Sequence, residues 1–140
     1  MADKVDKLKF PDYFPQGCPP SEAVFKEMDV YRLCVNSTPC EEDFQSFYLS
    51  DPKKYAGNIR AYGISTFPSF KACESALRKC VNLRNKYKFC AHGITYIYTG
   101  KVMNTPSKAN PKHITWWLYD GVKPHTYFKV CCQKLGNSDE

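Results

Sequence analysis

The sequence predicts a single α+β domain with a mixed or antiparallel sheet, two main helices and a β-rich second half. Three observations lead there. A chain of 140 residues has the usual length of one domain and is long enough to bury a core. Its 43% hydrophobic and 24% charged residues are the composition of a folded chain and not of a disordered one. The periodic segments run β-α-β-α-β-β-β, with helices early and strands late, whereas a doubly wound parallel sheet would alternate them throughout.

Residues 1–20 hold four of the ten prolines and show no period, so they form an extended arm before a globular unit at 21–134 and a polar tail at 135–140. "SEAVFKEM" is read as one or two helical turns capped by Ser21. Asp29 to Val35 is a strand of β-branched and aromatic character, with Tyr31, Leu33 and Val35 on one face and Val30, Arg32 and Cys34 on the other. From Thr38 the helix signals accumulate: Thr38 as N-cap, Pro39 at the first position, Glu41 completing a capping box and acids in the first turn. Ser50-Asp51-Pro52 ends that helix.

A strand from Arg60 to Phe67 turns at Pro68 into a second helix reaching Val81, in which Phe70, Cys73, Leu77, Cys80 and Val81 recur at helical spacing. "RNKYK" (84–88) reads as a connector, and "FCAHGITYIYTGKVM" as a long strand or a bent pair with Gly93 and Gly100 at bulges. Asn104 to Lys112 is a loop whose Pro, Ser and Asn content marks it as mobile. "HITWWLY" is the next strand, and "HTYFKVCC" the last.

No stretch approaches the about 18 to 20 apolar residues of a membrane span, and the first residues lack the apolar segment of an export signal, so a cytoplasmic protein without a membrane partner is expected. In that setting the eight cysteines are reduced thiols. They contain no C-x-x-C pair, so no metal site is expected. The formal charge of +6 is dispersed; its densest spots are Lys53-Lys54, Arg78-Lys79 and Arg84 to Lys88.

Both tryptophans stand side by side in "HITWWLY", and a strand sends neighbouring side chains to opposite faces. Ile114, Trp116 and Leu118 make an apolar face for the core. His113, Thr115, Trp117 and Tyr119 share the other, on which every side chain carries a polar atom. Trp117 therefore either lines a ligand cleft beside His113 and Thr115 or lies under the 104–112 loop as a satellite cluster. Arg32, the single charge in mid-strand, has the planar fork suited to phosphate or carboxylate. Ser65 and Thr66 end a strand just before a helix, where hydroxyls and amides suit an anion or a ribose. No P-loop, G-x-G-x-x-G, H-E-x-x-H or G-x-S-x-G is present, and Glu41, Glu42 and Asp43 are accounted for by the helix dipole.

Tyr31-Arg32 in an early strand, then a strand ending in Ser65-Thr66-Phe67 that leads into a helix, then a β-rich remainder, resembles the ADP-ribosyltransferase fold across about residues 29–132. The resemblance implies that Arg32 holds the phosphates or ribose of a nicotinamide dinucleotide such as NAD, and that Ser65 and Thr66 brace the nicotinamide pocket. The family's transferases carry a Glu on a later strand. Here no acid occurs between Cys90 and Trp117, and His113 is the candidate catalytic stand-in. The nucleotide-binding part of the resemblance does not need that Glu.

A reading of another class places the function on a basic, aromatic surface. Trp117 would stack on bases while Lys101, Lys108 and Lys112 around the loop hold the backbone of a single-stranded nucleic acid, without sequence preference. The same surface would also serve a protein partner.

Overall fold

The structure, a computed structural model, describes residues 8–131. Among these described residues six strands form two three-stranded antiparallel sheets. One has the order β1 (Met28–Cys34), β3 (Phe89–Thr95), β6 (Lys129–Val130); the other has the order β2 (Ile64–Thr66), β5 (Ile114–Leu118), β4 (Gly100–Asn104). An isolated bridge from Tyr31 of β1 to Phe67, just past β2, links them, and another ties Val24, ahead of β1, to Val102 of β4. The polar tail and Cys132 of the expected last strand lie outside the described residues.

The alternation in each strand decides which layer it feeds. Val30 and Cys34 of β1 and Ala91 of β3 meet Ile64, Val102, Ile114 and Trp116 of the other sheet, with Phe44 and Phe128 filling between. The opposite face of β1 and β3 presents Leu33 and Cys90 to the helix α3 (Phe70–Arg78), which returns Cys73, Ala76 and Leu77. Phe70, Cys73 and Leu77 thus occupy the stripe that their spacing predicts.

The region after β1 differs from the expected helix. Residues Glu41–Phe44 form a single 3-10 turn, followed by two one-turn helices, α1 (Phe47–Ser50) and α2 (Pro52–Tyr55). Thr38 is not the cap. Asp43 reaches back instead, its carboxylate accepting from the amides of Val35 and Cys40 at 2.9 and 3.0 Å and from Asn36 Nδ2 at 3.1 Å. The carbonyls of Asp43 and Gln45, which a continuous helix would use internally, accept from Arg32. A tertiary donor has displaced a local one, and local capping preferences are too small, at about 1 kcal/mol, to resist it.

Other differences have equally specific causes. "SEAVFKEM" is not helical, because the Val24 amide and carbonyl pair with Val102 at 2.9 and 2.8 Å. Ile59–Tyr62 is a 3-10 turn rather than strand, and Gly63 follows it where a Cβ would collide with Thr115 and crowd Trp117. The second helix stops at Arg78 and a separate α4 (Val81–Lys86) takes up part of the expected connector. Arg84 of α4 donates to the carbonyls of Leu77 and Arg78, satisfying the exposed end of α3. The 89–103 segment is the bent pair, β3 and β4 in different sheets joined by a turn in which Thr99 Oγ1 donates to the Tyr96 carbonyl at 2.7 Å. Gly93 marks no bulge; it pairs in register with Val30 and leaves room for the Phe128 ring.

Candidate functional site

Strand β1 sends Arg32 toward β2, where its guanidinium is clamped. Nε donates to the Asp43 carbonyl at 2.7 Å, one terminal nitrogen to the Ser65 carbonyl at 2.8 Å and the other to the Gln45 carbonyl at 3.3 Å. The same guanidinium carbon lies 5.7 Å from the centre of the Phe44 ring. Burial lowers its pKa, and the three carbonyls supply the negative ends of dipoles that an enclosed cation needs.

Arg32 and Ser65 line a cleft of about 410 Å³ whose further wall carries His113. That volume falls within the about 300 to 1,000 Å³ usual for small-molecule sites. The three residues come from β1, β2 and the end of the 104–113 loop, and adjacent antiparallel strands bring them together. The loop that positions His113 is closed by hydrogen bonds, Thr105 amide to His113 carbonyl at 2.9 Å and Ser107 amide to Asn110 carbonyl at 3.1 Å.

His113 Nδ1 meets Thr105 Oγ1 at 2.7 Å, and Thr105 Oγ1 meets Thr115 Oγ1 at 2.7 Å. A hydroxyl has one proton and two lone pairs, so Thr105 can serve both neighbours, and Nε2 is the ring atom left for a ligand. Burial is the first cause of a lowered His113 pKa, with the charges of Arg60 and Arg32 adding to it against the Thr105 hydrogen bond. The imidazole is therefore held neutral in a positively charged setting.

The other expected site residues are placed elsewhere. Thr66 is fully buried on the core face of β2, its hydroxyl donating to the Ile114 carbonyl at 3.0 Å. Thr115 is buried too, and acts through Thr105 rather than on a ligand. Trp117 does not reach the cleft. Its exposure is 0%, its Nε1 donates to the Ile59 carbonyl at 3.1 Å, and Phe10, Phe14, Ala23 and Tyr62 pack on it. The cluster around Trp117 draws on the N-terminal arm, through Phe10 and Phe14, and on Tyr48, Ile59 and Tyr62, and not on the 104–112 loop. Lys101 lies away from the cleft with Nζ 4.7 Å above the Phe25 ring. Lys112 lines a separate groove of about 220 Å³ with Lys71 and Lys79, and Lys108 is exposed in the loop.

Residues that the strand and motif signals did not single out complete the cleft: Arg60, Lys86, Tyr87, Thr105, Asn110 and Glu42. Lys86 belongs to the dense basic spot at 84–88, a signal in plain view whose place in space was not. Arg60 sits on the 3-10 turn before β2. Asp43, although in the wall, is spent: burial pushes its pKa up, but the hydrogen bonds from Val35, Cys40 and Asn36 outweigh that and leave it lowered. Glu42 is exposed.

Thiol chemistry is disfavoured at the buried cysteines near these walls, because burial pushes the Cys34 thiol up to about 12 and the thiol, unlike the thiolate, is a poor nucleophile. Cys18 is likewise raised to about 12 by burial. Among the described residues no helix is long and apolar enough to cross a membrane. No protein-family model matches this chain, and neither a curated protein nor a solved structure matches it significantly.

Proposed function

We propose that the cleft binds a nucleotide in the manner of the ADP-ribosyltransferase-like group, with a nicotinamide dinucleotide as the ligand whose chemistry it fits. The observation that carries this reading is the convergence of Arg32, Ser65 and His113 with Arg60 and Lys86 on one cleft of about 410 Å³. Three cations face two acids there, and one of the acids, Asp43, is consumed by its own hydrogen bonds. The balance favours an anion.

The roles divide by what each side chain has left to give. Arg32 is a brace whose three bonds to carbonyls hold β1, β2 and the 43–45 segment together, which leaves two of its five N–H donors for a ligand. Arg60 and Lys86, exposed on the rim, take phosphate charge. Neutral His113 offers Nε2 to a ribose hydroxyl or an amide, and Tyr87 and Phe47 supply ring surface in the same wall. Glu42 is the carboxylate available to a ribose hydroxyl. The single-strand reading loses its stacking residue, because a base cannot reach Trp117.

Calorimetric titration with NAD, ADP-ribose, ADP and a short single-stranded oligonucleotide tests this. The expected result is saturable binding of the ADP-ribose-containing ligands, weakened at least ten-fold in the double variant Arg60→Ala, Lys86→Ala and in His113→Ala. Absence of saturation with every nucleotide, or binding indifferent to both variants, overturns the reading.

A further inference from the structure

A second cavity of about 150 Å³ opens between the N-terminal arm, the 41–46 segment and the turn at 120–125. It adjoins the cleft through the shared Gln45, Ser46 and Ile64 but is a separate volume. Its wall includes Trp116 and His125. These two residues carry the buried side-chain nitrogens, Trp116 Nε1 and His125 Nδ1, that have no hydrogen-bond partner among the described residues.

The contrast with the neighbouring indole is informative. Trp117 Nε1 has the Ile59 carbonyl, whereas Trp116 Nε1, in a side chain with 0% exposure, has no hydrogen-bond partner among the described residues, and an indole N–H can only donate. Buried polar groups are normally satisfied, so an orphan donor in the wall of a cavity marks where an acceptor from outside the chain belongs. The same wall presents the rings of Tyr13, Phe14, Tyr62 and Tyr119. Glu41 and Lys123, both in that wall, form an ion pair at 3.3 Å that ties the 41–46 segment to the 120–125 turn.

Size narrows the ligand. The volume is well below the range for drug-sized molecules and close to the about 150 Å³ that accommodates benzene in an engineered protein cavity. We infer that this pocket binds a single planar heteroaromatic ring. A ring nitrogen or carbonyl oxygen of that ring accepts from Trp116 Nε1, a second polar atom meets His125 Nδ1, and the aromatic walls cover the ring faces. The site stands on Trp116 and His125 alone and does not depend on the nucleotide reading of the cleft.

With two tryptophans in the chain, a ¹⁵N-labelled sample shows two indole N–H signals, assigned with Trp116→Phe, which keeps a ring and removes the donor. The probes are 2-pyridone and pyridazine, with toluene as a ring of similar size that has no acceptor. The expected result is a saturable shift of the Trp116 signal with 2-pyridone or pyridazine, little movement of the Trp117 signal, and affinity reduced at least ten-fold in Trp116→Phe. His125→Leu provides the same affinity comparison if Trp116→Phe does not fold. The inference is overturned if no probe saturates the Trp116 signal, if toluene binds as well as 2-pyridone, or if the indole N–H contacts water only and no probe displaces it. NAD binding by the cleft is a separate titration, so failure of one site leaves the other's result intact.

Discussion

The outer face of β5 has two ends built from similar residue types and used in opposite ways. At one end His113 and Thr115 join Thr105 in a polar chain leading into the cleft. At the other, two residues on, Trp117 is sealed beneath Phe10, Phe14 and Tyr62. Both ends carry polar atoms, so polarity does not distinguish them. Cover does: the arm's aromatics extend over Trp117, with Phe10 stacked on Phe14 at 5.6 Å and Phe14 edge-on to Tyr62 at 5.8 Å, while the loop leaves the His113 end open to the cleft. A strand face acquires its role from what is laid across it.

The largest test of this contrast is at the covered end. Trp117→Ala should destabilise by about 3 to 5 kcal/mol, as a buried aromatic truncation does, and so match Trp116→Ala. Denaturant midpoints compare the two. The residue-type pattern alone would have made Trp117 the much cheaper change, and a cost below about 1 kcal/mol would mean that the arm does not cover it.

A medium effect is expected beside the cleft, at Asp43. Asp43→Asn keeps the shape but removes the charge and one acceptor from a carboxylate bonded to Val35, Asn36 and Cys40, which should cost about 1.5 to 3 kcal/mol. Because the folded pKa lies below the usual value, the carboxylate's contribution is complete above the unfolded pKa of about 3.9 and is lost as pH falls through the folded value. Stability of the wild-type chain should therefore drop in that acid range, and the Asn variant should drop less.

The smallest effect belongs to the open end. His113 has a lowered folded pKa, so the unfolded chain takes up this proton first. Its contribution to stability is full above the ordinary His pKa of about 6.5 and declines as pH falls from there to the folded pKa. Thr105→Val should cost about 1 kcal/mol and change that pH dependence, because the imidazole loses its anchor. Thermal unfolding between pH 7.5 and 5 measures both, and an unchanged slope in Thr105→Val would sever the link from Thr105 to His113.

Strands were legible wherever alternation was strong, as in Met28–Cys34 and Ile114–Leu118, because burying one face fixes which residues point inward. The helix at 70–78 was legible for the same reason at a different period. The 38–50 segment was not. Its capping signals are genuine, but each is worth only about 1 kcal/mol, and Arg32 from another strand takes the carbonyls that the helix would need. Of the candidate site, Arg32, Ser65 and His113 were visible as polar residues in strand positions that called for a partner. Arg60 and Glu42 were not, since the strand and the helix expected at those positions are 3-10 turns, whose side-chain directions those periods do not give.

What the sequence by itself determined was the α+β class, the order of strands and the two faces of β1 and β5, all of which follow from local periodicity and the need to bury apolar area. The tertiary structure alone decided what each face meets. Trp117 and Thr115 are adjacent in kind and in face, yet one is roofed by an arm about a hundred residues away in sequence and the other holds a threonine that holds the cleft histidine. Contacts at such separations depend on how whole sheets stack, and no local pattern encodes them.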